Sequence, residues 1–300
     1  MSADSAGNVL LLVNPTSGRG RGLRLLTRTA QALRDAGFAL EISVTASMAD
    51  ATEKARAAVP GSIVAVLGGD GFLGAVAAGA RESGAVVLPL AGGRGNDTVR
   101  RLGLALDPVK AVQSLELLTV RELDLGLANG RPYLGVANAG FDGVATEYGN
   151  NTSLNLGPFI YLYGGVRAFL DWRNVTFTVS VDGKESTFPG WLVAVGNVGQ
   201  YGGGLRIAPL AKADDGQLDV VSLGRATILG VAATYLRSYR GRHLGQRNVS
   251  FTRGSVVRIN ASKPLNLYAD GELVATLPAL LEVLPKAVKF LVPVDSQVLD

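Results

Sequence analysis

The run Ser62-Ile-Val-Ala-Val-Leu-Gly-Gly-Asp70, continued by Gly71 and Phe72-Leu-Gly-Ala-Val-Ala-Ala-Gly-Ala-Arg81, limits most what this chain can fold into. A continuous β-branched and aliphatic segment, closed by glycines and followed by helical apolar spacing, predicts a buried parallel strand that turns straight into a helix. At such a turn the helix offers unpaired N–H groups and a partial positive charge, and glycines let an anion, most often phosphate, reach the backbone. Asp70 is the odd member. A carboxylate there repels phosphate unless a divalent cation or a donor hydroxyl stands between them, so Asp70 is a candidate for metal or proton work. Taken alone, Gly-Gly-Asp-Gly is equally compatible with a plain reversal of the chain.

Two further turns repeat the pattern. Val9 to Val13 reads as a strand ending in Asn14-Pro-Thr-Ser-Gly-Arg-Gly-Arg-Gly22, ahead of a helix with Leu23, Leu26, Ala30 and Leu33 on one face. The arginines can fork onto phosphate oxygens, although the spacing is neither Gly-x-Gly-x-x-Gly nor that of a P-loop. Ala39 to Val44 is the next strand and Met48 to Ala58 the next helix. Ala85 to Leu90 then feeds Ala91-Gly-Gly-Arg-Gly-Asn-Asp97, and a helix opens at Thr98 with Asn96 and Asp97 as cap residues. Three glycine turns at the ends of parallel strands converge on one edge of an open sheet, which is the geometry of a nucleotide site.

Composition narrows the chemistry. The 300 residues are 47% hydrophobic and 18% charged, enough for one large domain or two and too apolar for disorder. Without cysteine there are no disulfides, thiolates or cysteine zinc sites, and His243 is the single histidine, with no Gly-x-Ser-x-Gly elbow to pair with it. The chemistry is therefore left to carboxylates, backbone and arginine, with or without a metal. A net charge of +4 suits anionic ligands or an anionic membrane surface and is too weak to argue nucleic acid. No apolar stretch reaches the roughly 18–20 residues of a spanning helix. The nearest, Leu154 to Trp172, is interrupted by Gly157-Pro158, Arg167 and Asp171 and reads as an apolar loop-and-helix surface. Residues 1–8 lack the basic start and apolar middle of a signal peptide, so the expected location is cytoplasmic. Oligomeric state leaves no signal.

From about Arg121 the texture changes to short strands and turns. Leu123 to Ala128, Asn129-Gly130 and Pro132 to Ala137 read as a hairpin with a type I′ turn. Strands are predicted over Val175–Val181, Trp191–Val195, Leu218–Leu223, Val256–Asn260, Leu265–Ala269, Leu273–Leu277 and Leu281–Leu284, the pattern of an antiparallel sandwich. The expected fold is thus α/β plus all-β: an open, mostly parallel sheet flanked by helices over 1–122, and a C-terminal antiparallel β-sandwich over 123–285. The tail 286–300, with Val288 to Val294, is free to close either part.

Four patches in this half carry information. Asn138 to Asp142 and Asn197 to Gly204 read as polar, glycine-rich loops suited to close ligand approach. Ala211 to Asp219 places oxygens densely around a turn, as a hard cation prefers, and is equally readable as an ordinary Asp-Gly turn. Ala226 to Arg240 puts Ile228, Leu229, Ala232, Leu236 and Tyr239 on one helical face with Arg237, Arg240, Arg242 and Arg247 at its end. Such a face either packs on its own core or leans on an anionic membrane.

Together these loops resemble the diacylglycerol kinase catalytic-domain superfamily, the bacterial lipid kinases with sphingosine and ceramide kinases as relatives. The resemblance rests on Asn14-Pro-Thr-Ser-Gly18, Gly68-Gly-Asp-Gly71, Gly93-Arg-Gly-Asn-Asp97, Asn138-Ala-Gly-Phe-Asp142, Gly202-Gly-Gly204 with Ala208-Pro209, Asp215-Gly-Gln-Leu-Asp219 and Asp270-Gly-Glu272, in family order. It implies a two-domain kinase that moves the γ-phosphate of ATP onto the hydroxyl of a membrane lipid. It further implies that Thr45, Gly68 to Gly71 and Gly95 to Asp97 hold the nucleotide, with Asn14, Ser17 and Gly18 near its phosphates. Asp270 would be the general base, and Asp215 with main-chain oxygens of Lys212 and Gln217 would hold a structural magnesium.

The chain departs from the family where Phe72 and Arg94 replace threonines in nucleotide-facing loops. Each lost hydroxyl contact is worth on the order of 1 kcal/mol, so ATP affinity is expected to fall, or Arg94 to accommodate another anion. Two other readings stay open: a lipid- or nucleotide-binding homologue without catalysis, and an NAD kinase relative sharing the Gly-Gly-Asp-Gly turn.

Overall fold

The computed structural model describes residues 7–151, 167–168, 172 and 175–299. Its first part alternates strand and helix: β1 (Asn8–Val13), α1 (Arg21–Asp35), β2 (Ala39–Val44), α2 (Met48–Arg56), β3 (Ile63–Gly68), α3 (Asp70–Ser83), β4 (Val86–Ala91) and the short helices α4 (Asp97–Arg101) and α5 (Pro108–Gln113). The strands pair in parallel in the order β2-β1-β3-β4, so all four carboxyl ends lie on one edge. Local chemistry sets the helix ends. The Ser47 hydroxyl accepts from Asp50 N–H to start α2, Asp107 with Pro108 starts α5, and Gly84 closes α3 in the left-handed conformation at φ 73°.

The remaining elements are β5 (Leu118–Ala128), β6 (Arg131–Tyr133), β7 (Val136–Gly140), α6 (Phe141–Asn151), β8 (Val175–Val181), β9 (Lys184–Gly196), β10 (Leu218–Gly224), α7 (Ile228–Ser238), β11 (Val249–Gly254), β12 (Val256–Ala261), β13 (Asn266–Ala269), β14 (Glu272–Thr276) and β15 (Ala279–Pro293). The β5–β6 turn has φ of 46° at Asn129 and 78° at Gly130, the pair of positive angles that a type I′ turn requires. Most of these strands are antiparallel, and two long ones serve two neighbourhoods. β9 pairs with β8 through its first half and runs between β7 and β10 in its second.

β15 is the seam of the molecule. It pairs antiparallel with β12 and β5, and at Lys289–Phe290 it pairs in parallel with β4. Among the described residues the fifteen strands therefore form one hydrogen-bonded sheet. The sequence splits this strand into Leu281–Leu284 and Val288–Val294, because Pro285 breaks the run. The structure carries it through on a bulge: Lys286 takes φ 49°, the register shifts between Leu284 and Val288, and the Lys286 N–H is satisfied by Asp124 Oδ1 at 2.7 Å. A core containing Phe72, Leu73 and Val76 of α3 together with Leu123, Leu125, Val288 and Phe290 spans both parts. A second core holds Phe177, Val193, Leu267 and Leu281.

Asn138–Asp142, read as a loop, is instead the end of β7 and the start of α6. Val136–Gly140 is paired on both sides, with β9 and, through Ala137–Ala139, with β13, and ladder pairing overrides the loop-like composition. The apolar Leu154–Trp172 surface lies outside the described residues, apart from Arg167, Ala168 and Trp172. Among the described residues no helix is long and apolar enough to cross a membrane.

Candidate functional site

The three glycine turns touch one another at the carboxyl edge of the parallel strands. Asn14 N–H donates to Leu67 O (3.2 Å), Gly92 N–H to Gly68 O (2.8 Å), and the Ser17 hydroxyl accepts from Gly69 N–H (3.2 Å). Arg21 reaches Gly93 O at 3.4 Å. Gly93 has to be glycine, since a Cβ there would lie 2.5 Å from Gly69 Cα. Gly18, at φ 58°, backs onto Gly92 and Gly93. Thr45 is buried at the end of β2 and donates its hydroxyl to Val13 O. Asn14 Oδ1 caps its own turn through Thr16.

Asp70 ties α3 to α4. As the first residue of α3 it complements the helix dipole, and its carboxylate accepts from Asp97 N–H (3.1 Å) and Thr98 N–H (2.8 Å), two of the free donors that open α4. Burial pushes its pKa up, the two N–H groups oppose this, and the Asp97 charge adds to the rise. Asn96, in the left-handed region at φ 51°, closes its own turn through both amide atoms on Gly93. Gly95 lies against the Asp97 and Asp70 carboxylates. Arg94 stands exposed at the tip of this turn.

Phe72 corrects an expectation. The sequence places it in a nucleotide-facing loop, yet the residue is 1% exposed, its ring rests on Gly68 and it belongs to the main core, so the side chain offers the crevice no surface. The hydrophobic effect decides its direction, since a buried aromatic gains more inward than any loop contact returns.

Asp270 sits in the β13–β14 turn at φ 49°, half-buried, with its carboxylate held by three backbone donors: Leu134 N–H (2.8 Å) on Oδ2, and Gly135 (2.9 Å) and Val136 (3.2 Å) on Oδ1. Its Oδ2 lies 3.5 Å from where a Cβ on Gly74 would stand, and Glu272 lies against Gly71, so the turn rests on the first turns of α3. Burial raises the Asp270 pKa to about 6, the three N–H groups pull it down, and the nearby Asp70 charge pushes it further up. Carboxylates 200 residues apart in the chain thus share one site.

Asp97 joins the two parts of the molecule, a role that no local signal announces. Its Oδ1 accepts from Gln200 Nε2 (3.0 Å) and its Oδ2 from Gly203 N–H (2.7 Å), which brings the Asn197–Gly204 loop onto the third glycine turn. Tyr201 of the same loop donates to Asp142, a buried carboxyl that burial pushes up to about 7. The buried amide of Asn197 anchors the loop to the main-chain oxygens of Asp124 and Leu134.

Lys212, Asp215 and Gln217 sit in a second turn, tied to β5, β11 and the tail. Asp215 Oδ1 accepts from Gln217 N–H (2.9 Å), Asp215 Oδ2 stands 4.0 Å from Arg253, and Lys212 Nζ donates to Leu299 O. Asp124, fully buried on β5, accepts from Gly216 N–H (2.6 Å); burial raises its pKa, and the charges of Asp215 and Asp214 add to the rise. Among the described residues no three His, Cys, Asp or Glu side chains group as metal ligands, so a cation here needs main-chain oxygens as well. A cavity of about 480 Å³ lined by Asn129, Thr178, Glu185 and Arg258 shares no residue with the glycine turns.

A family model of the diacylglycerol kinase catalytic domain matches residues 8–128, and one of the YegS C-terminal NAD kinase beta sandwich-like domain matches residues 135–292. The chain is 32% identical over 305 residues to a protein of Pseudomonas aeruginosa (strain UCBPP-PA14) assigned to the YegS-like lipid kinases, covering 97% of this chain and 96% of that one. It is 26% identical over 276 residues to a diacylglycerol kinase of Bacillus subtilis (strain 168), covering 89% and 90%. A solved structure from Bacillus anthracis str. Sterne, assigned as a diacylglycerol kinase, superposes with a TM-score of 0.77 at 26% identity over 97% of each chain.

Proposed function

The chain belongs to the diacylglycerol kinase catalytic-domain family, and from that premise we propose that it transfers the γ-phosphate of ATP to the hydroxyl of a membrane lipid alcohol of the diacylglycerol kind. The observation that carries this reading is Asp270. Its carboxylate, with a pKa near 6, stands against the first turns of α3, beside Asp70 and the edge where three glycine turns meet. A group of that pKa is ionised at neutral pH and basic enough to take a proton.

In the transfer, the lipid oxygen bonds to the γ-phosphorus, the bond to the β–γ bridging oxygen breaks, ADP leaves, and the hydroxyl proton passes to Asp270. Backbone N–H groups of Gly68 to Gly71 and Gly95 to Asp97, with Asn14, Ser17, Gly18 and Thr45 around them, suit a polyphosphate, and Arg94 adds a guanidinium at the rim. Asp70 is a positioning residue that locks the third turn against the second through Asp97 and Thr98.

The charges of Asp214 and Asp215 bear on Asp124 beside this turn, and since no three carboxylates group as ligands among the described residues, a hard divalent cation here would draw on main-chain oxygens beside Asp215. Magnesium held by Asp215 with main-chain oxygens of Lys212 and Gln217 would neutralise these charges and stiffen the turn.

Radiolabelled ATP with mixed lipid vesicles tests the reading. Label is expected on lipid, and Asp270→Asn is expected to lower the rate by about 10²–10⁴-fold. No transfer by the wild type, with lipid and nucleotide still bound, would leave a binding homologue; label on NAD instead would overturn the lipid acceptor.

A further inference from the structure

Helix α7 is built inside out. Ile228, Leu229, Ala232, Leu236 and Tyr239 form one stripe about 100° wide on the helix. All five are exposed, Leu229 to 80% and Leu236 to 73%. The face turned to the protein carries Val231, Thr234 and Ser238. Thr234 and Ser238 spend their hydroxyls on the helix's own carbonyls, at Gly230 O (2.9 Å) and Thr234 O (2.8 Å), so they pack inward without unpaired polar atoms. A helix that hides its hydroxyls and shows its leucines is suited to a second apolar phase.

Charge identifies that phase. Residues 220–269 hold eight Lys or Arg and no Asp or Glu, whereas the whole chain is only +4, so the rest of the molecule is net negative. Five of these arginines, Arg225 before the helix and Arg237, Arg240, Arg242 and Arg247 at and beyond its end, are exposed. None of the five has an ion pair among the described residues. A convex apolar stripe bracketed by guanidinium groups is complementary to anionic headgroups over acyl chains. A second copy meeting this face about a two-fold axis would bring two sets of arginines together.

We propose that α7 is the element by which this protein docks on an anionic phospholipid bilayer, Leu229 and Leu236 entering the interface while the flanking arginines meet lipid phosphates. The inference deepens the lipid-kinase reading and rests on it for its purpose. The helix end also packs on the loop that reaches the candidate site. Ser238 O accepts from Arg206 N–H (3.1 Å), Tyr239 lies against Gly204, and the neighbouring Gly203 N–H is bonded to Asp97. Docking through α7 would hold that loop, and with it the crevice, beside the bilayer.

Sedimentation of the full chain with phosphatidylcholine vesicles, with and without phosphatidylglycerol, tests this. Wild type is expected to bind only the anionic vesicles. Arg237→Gln/Arg240→Gln/Arg242→Gln is expected to weaken that binding on the order of a hundredfold, and Leu229→Gln/Leu236→Gln about tenfold or more. Both variants should keep wild-type rates on detergent-solubilised diacylglycerol and lose rate on vesicles. Unchanged vesicle binding in both variants overturns the proposal, as does a wild-type dimer that either variant converts to monomer without loss of vesicle binding. Wild type that binds through α7 yet phosphorylates no lipid leaves docking standing and overturns the kinase reading alone.

Discussion

Helices α3 and α7 are written in nearly the same alphabet of glycine, alanine and aliphatic residues, and they face opposite ways. In α3 Phe72, Leu73, Val76, Ala77 and Ala80 are buried; in α7 Leu229 and Leu236 stand in solvent while Thr234 and Ser238 are buried. The spacing of apolar residues defines a face without saying which way it turns. α3 has no freedom to choose, because β3 runs into it through the single residue Gly69 and its apolar side is covered by the core under β5 and β15. α7 is reached through Arg225–Thr227, starts on a Thr227 cap, and satisfies the buried hydroxyls of Thr234 and Ser238 on its own carbonyls. Inward packing of its leucines is therefore replaced by a surface chemistry matched to arginine.

Substitutions on the two helices separate these roles, and the largest effect falls on α3. Phe72→Ala is expected to cost about 3–5 kcal/mol of unfolding free energy by chemical denaturation, since the ring is fully enclosed. A cost below about 1 kcal/mol would remove the argument that Phe72 belongs to the core rather than to a ligand.

The next effect is on pH at the α3 end. With the Asp270 pKa raised to about 6, kcat/KM is expected to fall about tenfold for each pH unit below 6 and to level off above it. Folding stability should run the other way. A carboxyl whose pKa is raised on folding holds a proton in the native state that the unfolded chain releases, so stability rises as pH falls from about 6 toward 4. Asp142, at about 7, and Asp219, at about 6, push in the same direction. A pH–rate profile flat to pH 5 with intact protein would exclude Asp270 as the base.

The smallest expected effect is on α7. Leu229→Gln with Leu236→Gln should leave the unfolding free energy within about 0.5 kcal/mol of wild type, because neither leucine is buried. Destabilisation beyond about 2 kcal/mol would mean that the stripe is packed after all, and the comparison with α3 would fail.

Much of the crevice was readable in the residues, because its signals are local. A strand of period-free aliphatics, a glycine turn and a helix start each span fewer than ten positions, and Asn129-Gly130 dictates its turn through two positive φ angles. What could not be read depends on pairs far apart in the chain. Asp97 meets Gln200 and Gly203, Asp124 satisfies Gly216 and Lys286, and β15 stays one strand past Pro285 because Asp124 takes up the Lys286 N–H. Ladder pairing likewise turned Asn138–Asp142 from a loop into the end of β7 and the start of α6.

The amino-acid order by itself determined the parallel strand–turn–helix units, the glycine turns and the carboxylate chemistry left to a chain without cysteine and with one histidine. Only the tertiary structure decided that Phe72 looks inward, that α7 looks outward and that Asp270 comes to rest beside Asp70. Periodicity and turn preference are properties of neighbouring residues. The direction of a face and the meeting of two acids depend on which distant surfaces exclude water together.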